Sequence, residues 1–209
     1  MKGEKSMINL QDLEIITKAD FDDMTFDSGV IVKDFNPTST FTPPAEGDLL
    51  LVTTGDISIT DNVTRADLGE DVNGIHFAYA ELQVVTGKEA ATISVTSLKF
   101  GLDDIKRALG AADVESNTKV VSRLEYKSTD FENLAFIQHK VGGGYVVAVM
   151  PKALSTGGLS FTSTKGGKGR NAMTITGYRS IESKETPEIT YYAYAAPTSS
   201  NYDGIDQGA

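Results

Sequence analysis

The sequence contains no cysteine and no tryptophan, and only 2 histidines among 209 residues. Without cysteine, disulfide staples and thiolate metal sites are excluded, so a packed core must hold the fold. A chain of this length can bury such a core unaided. No apolar run is long enough to cross a bilayer as a helix. The opening MKGEKSMINL carries charge with no hydrophobic segment behind it, which argues against a secretory signal, and the lack of cysteine fits a cytosolic folding compartment. Cations are in deficit: 19 Lys and Arg stand against 29 Asp and Glu, a net charge of −10. Such a chain repels nucleic-acid phosphates unless its basic residues cluster, and the charge also keeps an abundant protein soluble.

Catalytic signatures are equally scarce. His76 borders an acidic stretch and His139 ends an apolar one, and each reads as a structural residue. There is no GxSxG elbow and no HExxH. The glycine-rich Lys165–Arg170 invites comparison with a phosphate loop. However, Thr162 stands where the first glycine belongs, Gly169 stands where Ser or Thr should follow Lys168, and the segment joins two strands instead of opening a helix. Asp67, Glu70 and Asp71 supply oxygen ligands without EF-hand order. Asp22–Asp23 and Asp103–Asp104 read as solvation and helix-end charge. No catalytic residue, metal site or cofactor is expected.

What the sequence does contain is period-two alternation. In Gly157–Tyr178, Leu159 and Phe161 alternate with Ser160, Thr162 and Thr164; Met173 and Ile175 alternate with Thr174 and Thr176. Asp56, Ser58 and Thr60 alternate with Ile57 and Ile59, and Thr92, Ser94 and Thr96 with Ile93 and Val95. Alternation sends one set of side chains to each face of a strand. Four such strands predict one sheet with an apolar core face (Ile57, Ile59, Ile93, Val95, Leu159, Phe161, Met173, Ile175) and an outer face coated with hydroxyls.

The rest of the chain builds around that sheet. Residues 1–27 form an acidic, weakly patterned arm, and residues 28–181 form a β domain. Residues 182–209 carry a last strand, Glu188–Tyr194, and a polar tail. Short strands are expected at Gly29–Phe35, Leu49–Thr53, Phe77–Val85, Thr118–Leu124, Leu134–Lys140 and Tyr145–Met150, with a glycine turn at Gly142–Gly144. Asp61–Gly74 is polar, acidic, poorly periodic and too long for a tight turn, which marks it as a functional or a disordered loop. Leu102–Leu109 is the one helix. Leu102, Ile105 and Leu109 share a face, Asp103 and Asp104 suit its N-terminus, and Gly110 stops it. The expectation is a mainly β fold: a two-layer sandwich or strongly bent barrel with one short flanking helix.

The order of these segments resembles a known family. FDSGVIVKDFNP, TGDISIT, the acidic DNVTRADLGEDVNG, ATISVTSLKF running into LDDIKRALGAADV, and VVAVMPKALSTGGLSFTSTKGGKGRNAMTITGY together look like the major tail tube protein of long, non-contractile-tailed bacteriophages. The match spans roughly Gly29 to Ser180. The resemblance implies a β-sandwich whose inner sheets join between six subunits into a ring-wide β-barrel. Rings then stack into a hollow tube that conducts the genome out of the virion. It implies a bore lined by Asp56, Ser58, Thr60, Thr92, Ser94, Thr96, Ser160, Thr162, Thr174 and Thr176. The loop Asp61–Gly74, with Arg65, Asp67, Glu70 and Asp71, would reach a neighbouring ring. Implied partners are further copies of the chain, a tape-measure protein, and terminator and tip proteins. DNA would pass through without specific binding, no membrane would be involved, and the protein would reside in the virion tail after synthesis in the bacterial cytoplasm.

The residues support this reading at one point of their own. A lysine-poor, hydroxyl-coated wall repeated many times along a tube would not accumulate phosphate contacts and stall DNA. Thr-rich sheet faces are also common on ordinary solvated sandwiches. The alternative is therefore a monomeric β-sandwich, either a virion decoration or a carbohydrate-binding module, which would need an exposed aromatic platform. Tyr191, Tyr192 and Tyr194 are the one candidate cluster.

Overall fold

The computed structural model describes residues 18–25, 29–51, 53, 57–70, 72–74, 77–163, 165–183 and 186–196. Among the described residues two α-helices, α1 (Lys18–Asp22), which was not expected, and α2 (Leu102–Leu109), accompany thirteen strands. In chain order these are β1 (Val30–Lys33), β2 (Leu49–Leu51), β3 (Ser58–Thr60), β4 (Val63–Asp67), β5 (Gln83–Lys88), β6 (Thr92–Ser97), β7 (Ala112–Glu115), β8 (Lys119–Ser122), β9 (Glu132–His139), β10 (Tyr145–Ser155), β11 (Ser160–Thr162), β12 (Arg170–Gly177) and β13 (Thr190–Tyr194). The fold is mainly β, as the alternation required. Among the described residues no helix is long and apolar enough to cross a membrane.

Nine strands share one antiparallel sheet in the order β2-β1-β9-β10-β12-β6-β3, with β11 on β12 and β13 on β10. The long strand β10 makes two layers from it. Its first half pairs with β9 on one edge and β13 on the other, whereas Ala153–Ser155 pair with β12. One layer is therefore β2-β1-β9-β10-β13 and the other is β12-β6-β3 with β11. Their facing sides form one apolar core: Ile31, Leu51, Leu134, Phe136 and Met150 from the first, and Ile93, Val95, Met173 and Ile175 from the second. An isolated bridge from Thr53 to Ser97 ties the free end of the first layer back to the second.

The first layer is buried on both sides, which is why its strands are more continuously aliphatic. On its outer side Val32, Ala135, Ile137, Val147 and Val149 form a second core, covered by Phe35 and Phe41 from the connection between β1 and β2. The Phe41 ring stacks on Tyr145 at 3.9 Å.

Helix α2 spans the residues expected, and the Asp104 carboxylate accepts the Gly101 N–H at 2.8 Å. Its docking differs in detail. Asp104 and Ala108 are the buried residues, while Leu102, Ile105 and Leu109 are only half-buried. The Arg107 side chain bridges Asp104 and Glu132 at the core's margin. The strand expected at Thr118–Leu124 also lies elsewhere. Residues Lys119–Ser122 pair only with β7, in a separate hairpin against α2, held by Arg123 clasping the buried Asp130 at 2.6 Å. The last strand begins at Thr190, two residues later than expected, because Glu188 turns inward to meet cations.

Candidate assembly surface

The four amphipathic strands lie side by side as β11-β12-β6-β3, and their register aligns the hydroxyls in rows. Ser160, Ala172 and Thr96 form one row; Thr174, Ser94 and Ser58 form the next; Thr176, Thr92 and Thr60 form a third. Beyond the first row Thr162 pairs with Arg170. Because side chains alternate, Ile59, Ile93 and Ile175 stand on the opposite face in the same register, packed in the core with Ile57, Val95 and Met173. A shallow groove of about 270 Å³ crosses the hydroxyl face between Ser58, Ser94, Gly157, Ser160 and Thr174. Among the described residues of this face, Arg170 at the margin is the one charge.

Several expectations need correction. Thr176 is in register with its row but only 7% exposed: the chain leaving β10 runs on beside β12, with the Thr156 N–H donating to the Thr174 carbonyl at 2.8 Å, and the Thr156 and Thr176 hydroxyls meet at 2.7 Å. Leu159 and Phe161 are not core residues. They are 39% and 50% exposed, since β11 is a three-residue edge strand that the opposite layer does not reach. Phe161 instead packs against Phe100, ring centroids 4.6 Å apart. Asp56, Asp71, Thr164 and His76 lie outside the described residues.

The expected loop Asp61–Gly74 contains a strand. Residues Val63–Asp67 pair with Gln83–Lys88 as a two-stranded ribbon of its own, separate from the main sheet. The strand expected at Phe77–Val85 therefore starts only at Gln83, after a 3-10 turn at Ala80–Leu82. The pattern was hidden because neither face of the ribbon is covered, so nothing selects apolar residues at every second position. Arg65 and Glu70 are exposed, and Asp67 caps its own turn by accepting the Gly69 N–H at 2.8 Å. Exposed apolar side chains decorate the ribbon and its tip: Leu68, Val72, Phe77, Tyr79 and Val85, with Phe77 75% exposed.

An ion cluster roots the ribbon. Lys88 reaches Asp61 at 2.8 Å and Glu188 at 3.1 Å, and Arg179 donates to Glu188 at 2.5 Å. Burial pushes the Glu188 carboxyl up, but the donors from Arg179 and Lys88 outweigh it and hold it below its ordinary range. Lys88 is raised, chiefly by its hydrogen bond to Asp61.

No aromatic platform is exposed at the tyrosine cluster. Tyr192 and Tyr194 stack on each other on the side covered by Phe41, and Tyr191 points the other way, toward Asp61 at 3.5 Å. His139 is exposed at the end of β9, where its ring packs edge-on to Tyr145. Lys165–Arg170 is a hairpin connection between β11 and β12, with Gly166 at φ +77°, where a side chain would be strained. No family model matches the sequence, and no curated protein matches it.

Proposed function

We propose that this chain is a structural virion protein of the tail tube type, which assembles into six-membered rings stacked as a hollow conduit for the genome. The observation that carries the reading is the four-strand sheet β11-β12-β6-β3. Its outer face is lined with hydroxyls in register, and it ends on both sides in exposed three-residue strands. Unpaired edges invite another chain, and a closed ring removes them. If β3 of one copy joins β11 of the next, six copies make about 24 strands. At a spacing of about 4.8 Å and a tilt of about 40°, these close a backbone circle of about 24 Å radius, wide enough for a DNA duplex. Hydroxyls and a net acidic chain keep such a wall wet and non-adhesive toward phosphate. The half-exposed Leu159 and Phe161 beside the β11 edge then gain cover from the neighbour. The ribbon β4–β5, with its exposed apolar tip, supplies a contact reaching out of the ring.

Purified protein, concentrated and viewed by negative-stain microscopy, is expected to show hollow tubes or six-fold rings. Monomers persisting at high concentration would refute the reading.

A further inference from the structure

The inner sheet is electrostatically polar along its strands. β12 starts at Arg170 opposite the end of β6, because Asn171 pairs with Ser97. The hairpin tip carrying Lys165, Lys168 and Arg170 therefore projects from one end of the sheet. The ribbon leaves from the other end, between the close of β3 at Thr60 and the start of β6 at Thr92. That end carries Glu89 at the ribbon's root and Asp67, Glu70 and Glu81 farther out; of its two cations, Lys88 is already committed to Asp61 and Glu188, and the exposed Arg65 leaves the carboxylates in excess. All three basic residues of the tip are exposed, and among the described residues none has a carboxylate within ion-pair distance. In a chain of net charge −10, three unpaired cations on one six-residue connection stand out against the whole.

Resting on the tube reading, we propose that the basic β11–β12 tip of each subunit docks on the acidic ribbon end of a second copy in the next ring. This contact makes stacking head-to-tail and sensitive to salt. Stacking two basic ends, or two acidic ends, places like charges together in every subunit of the ring, so charge selects one polarity before close packing begins. A heterologous contact of this kind does not close on itself and propagates as a filament. Exposed pairs are weak singly but repeat around each ring, and salt screens them within about 10 Å at 0.1 M.

The test is a charge swap. The triple variant Lys165→Glu, Lys168→Glu, Arg170→Glu is expected to fold and form single rings without tubes. Adding Glu70→Lys, Glu81→Lys and Glu89→Lys to the same chain is expected to restore tubes, and raising salt is expected to shorten wild-type tubes. Full-length tubes from the first variant, or no rescue in the second, would overturn the inference while leaving the tube reading intact. Normal tubes that differ only in retaining less duplex DNA would assign the tip to phosphate and overturn it as well. A wild-type chain that never assembles would overturn the tube reading and this contact with it.

Discussion

Glu188 shows how one side chain couples two parts of the molecule. It is 4% exposed, sits just before β13, and receives Lys88 from the ribbon's root and Arg179 from beyond β12. Its carboxyl lies below the ordinary value of 4.5, so the folded state holds the charged form more tightly than the unfolded chain does. The stabilisation is fully present above about pH 4.5 and is lost as pH falls through the lowered folded value. Glu188→Gln is therefore expected to reduce stability by roughly 1.5–3 kcal/mol at neutral pH, the range for hydrogen bonds to charged groups. The gap from wild type should close as the pH drops below about 4.5. Urea titrations of both proteins across pH 3–7 would check it, and a gap independent of pH would contradict the assignment.

Among the elements, the ribbon β4–β5 is the most separable. Its strands pair only with each other, its apolar side chains face outward, and its ties to the body run through Lys88, Asp61 and their partners. Replacing residues 63–87 with a short glycine-serine turn is expected to leave the two cores intact and the thermal midpoint within a few degrees. Stacking should be abolished. Far-UV circular dichroism and negative-stain images of the same sample would decide; long tubes from the deletion variant would show that the ribbon is not the inter-ring contact. The helix makes the opposite case. Gly110, at φ +74°, lies so close to the Ser155 carbonyl that an added Cβ would sit 2.7 Å from it, so the helix end is locked onto β10. Ser155 reinforces this by donating to the Ala108 carbonyl at 3.2 Å.

For the whole molecule, the proposed tube function requires the hydroxyl face to remain almost uncharged when copied many times. Thr162 and Thr174 lie on that face in different rows, one exposed and one half-buried. Thr162→Lys and Thr174→Lys are expected to permit tube assembly but to slow DNA passage, because each added cation recurs in every subunit and the phosphate contacts accumulate. Ejection kinetics of particles built from the variants would measure it, and unchanged kinetics with both substitutions would remove the channel role. The acidic total charge fits the same logic, since it opposes DNA adhesion without requiring any one residue.

Much of this architecture was legible in the chain because burial leaves a period. Ile93, Val95, Met173 and Ile175 alternate with hydroxyl residues, and a strand covered on one side can arrange them no other way. The helix Leu102–Leu109 was equally plain, bounded by Asp103–Asp104 at one end and Gly110 at the other. Where no second layer lies over a strand, that signal fails. Val63–Asp67 shows no alternation because its ribbon is covered on neither face, and Leu159 and Phe161 keep the alternation although their short edge strand has lost its cover. Thr176 reads like its neighbours in the row, yet the chain leaving β10 runs beside β12 and buries it, and which segment lies beside β12 is a property of topology. Local pattern thus set which face of each strand is apolar. Only the folding of the long β10 between two layers decided which apolar faces found a partner, because contacts between residues far apart in sequence leave no periodic trace in either segment.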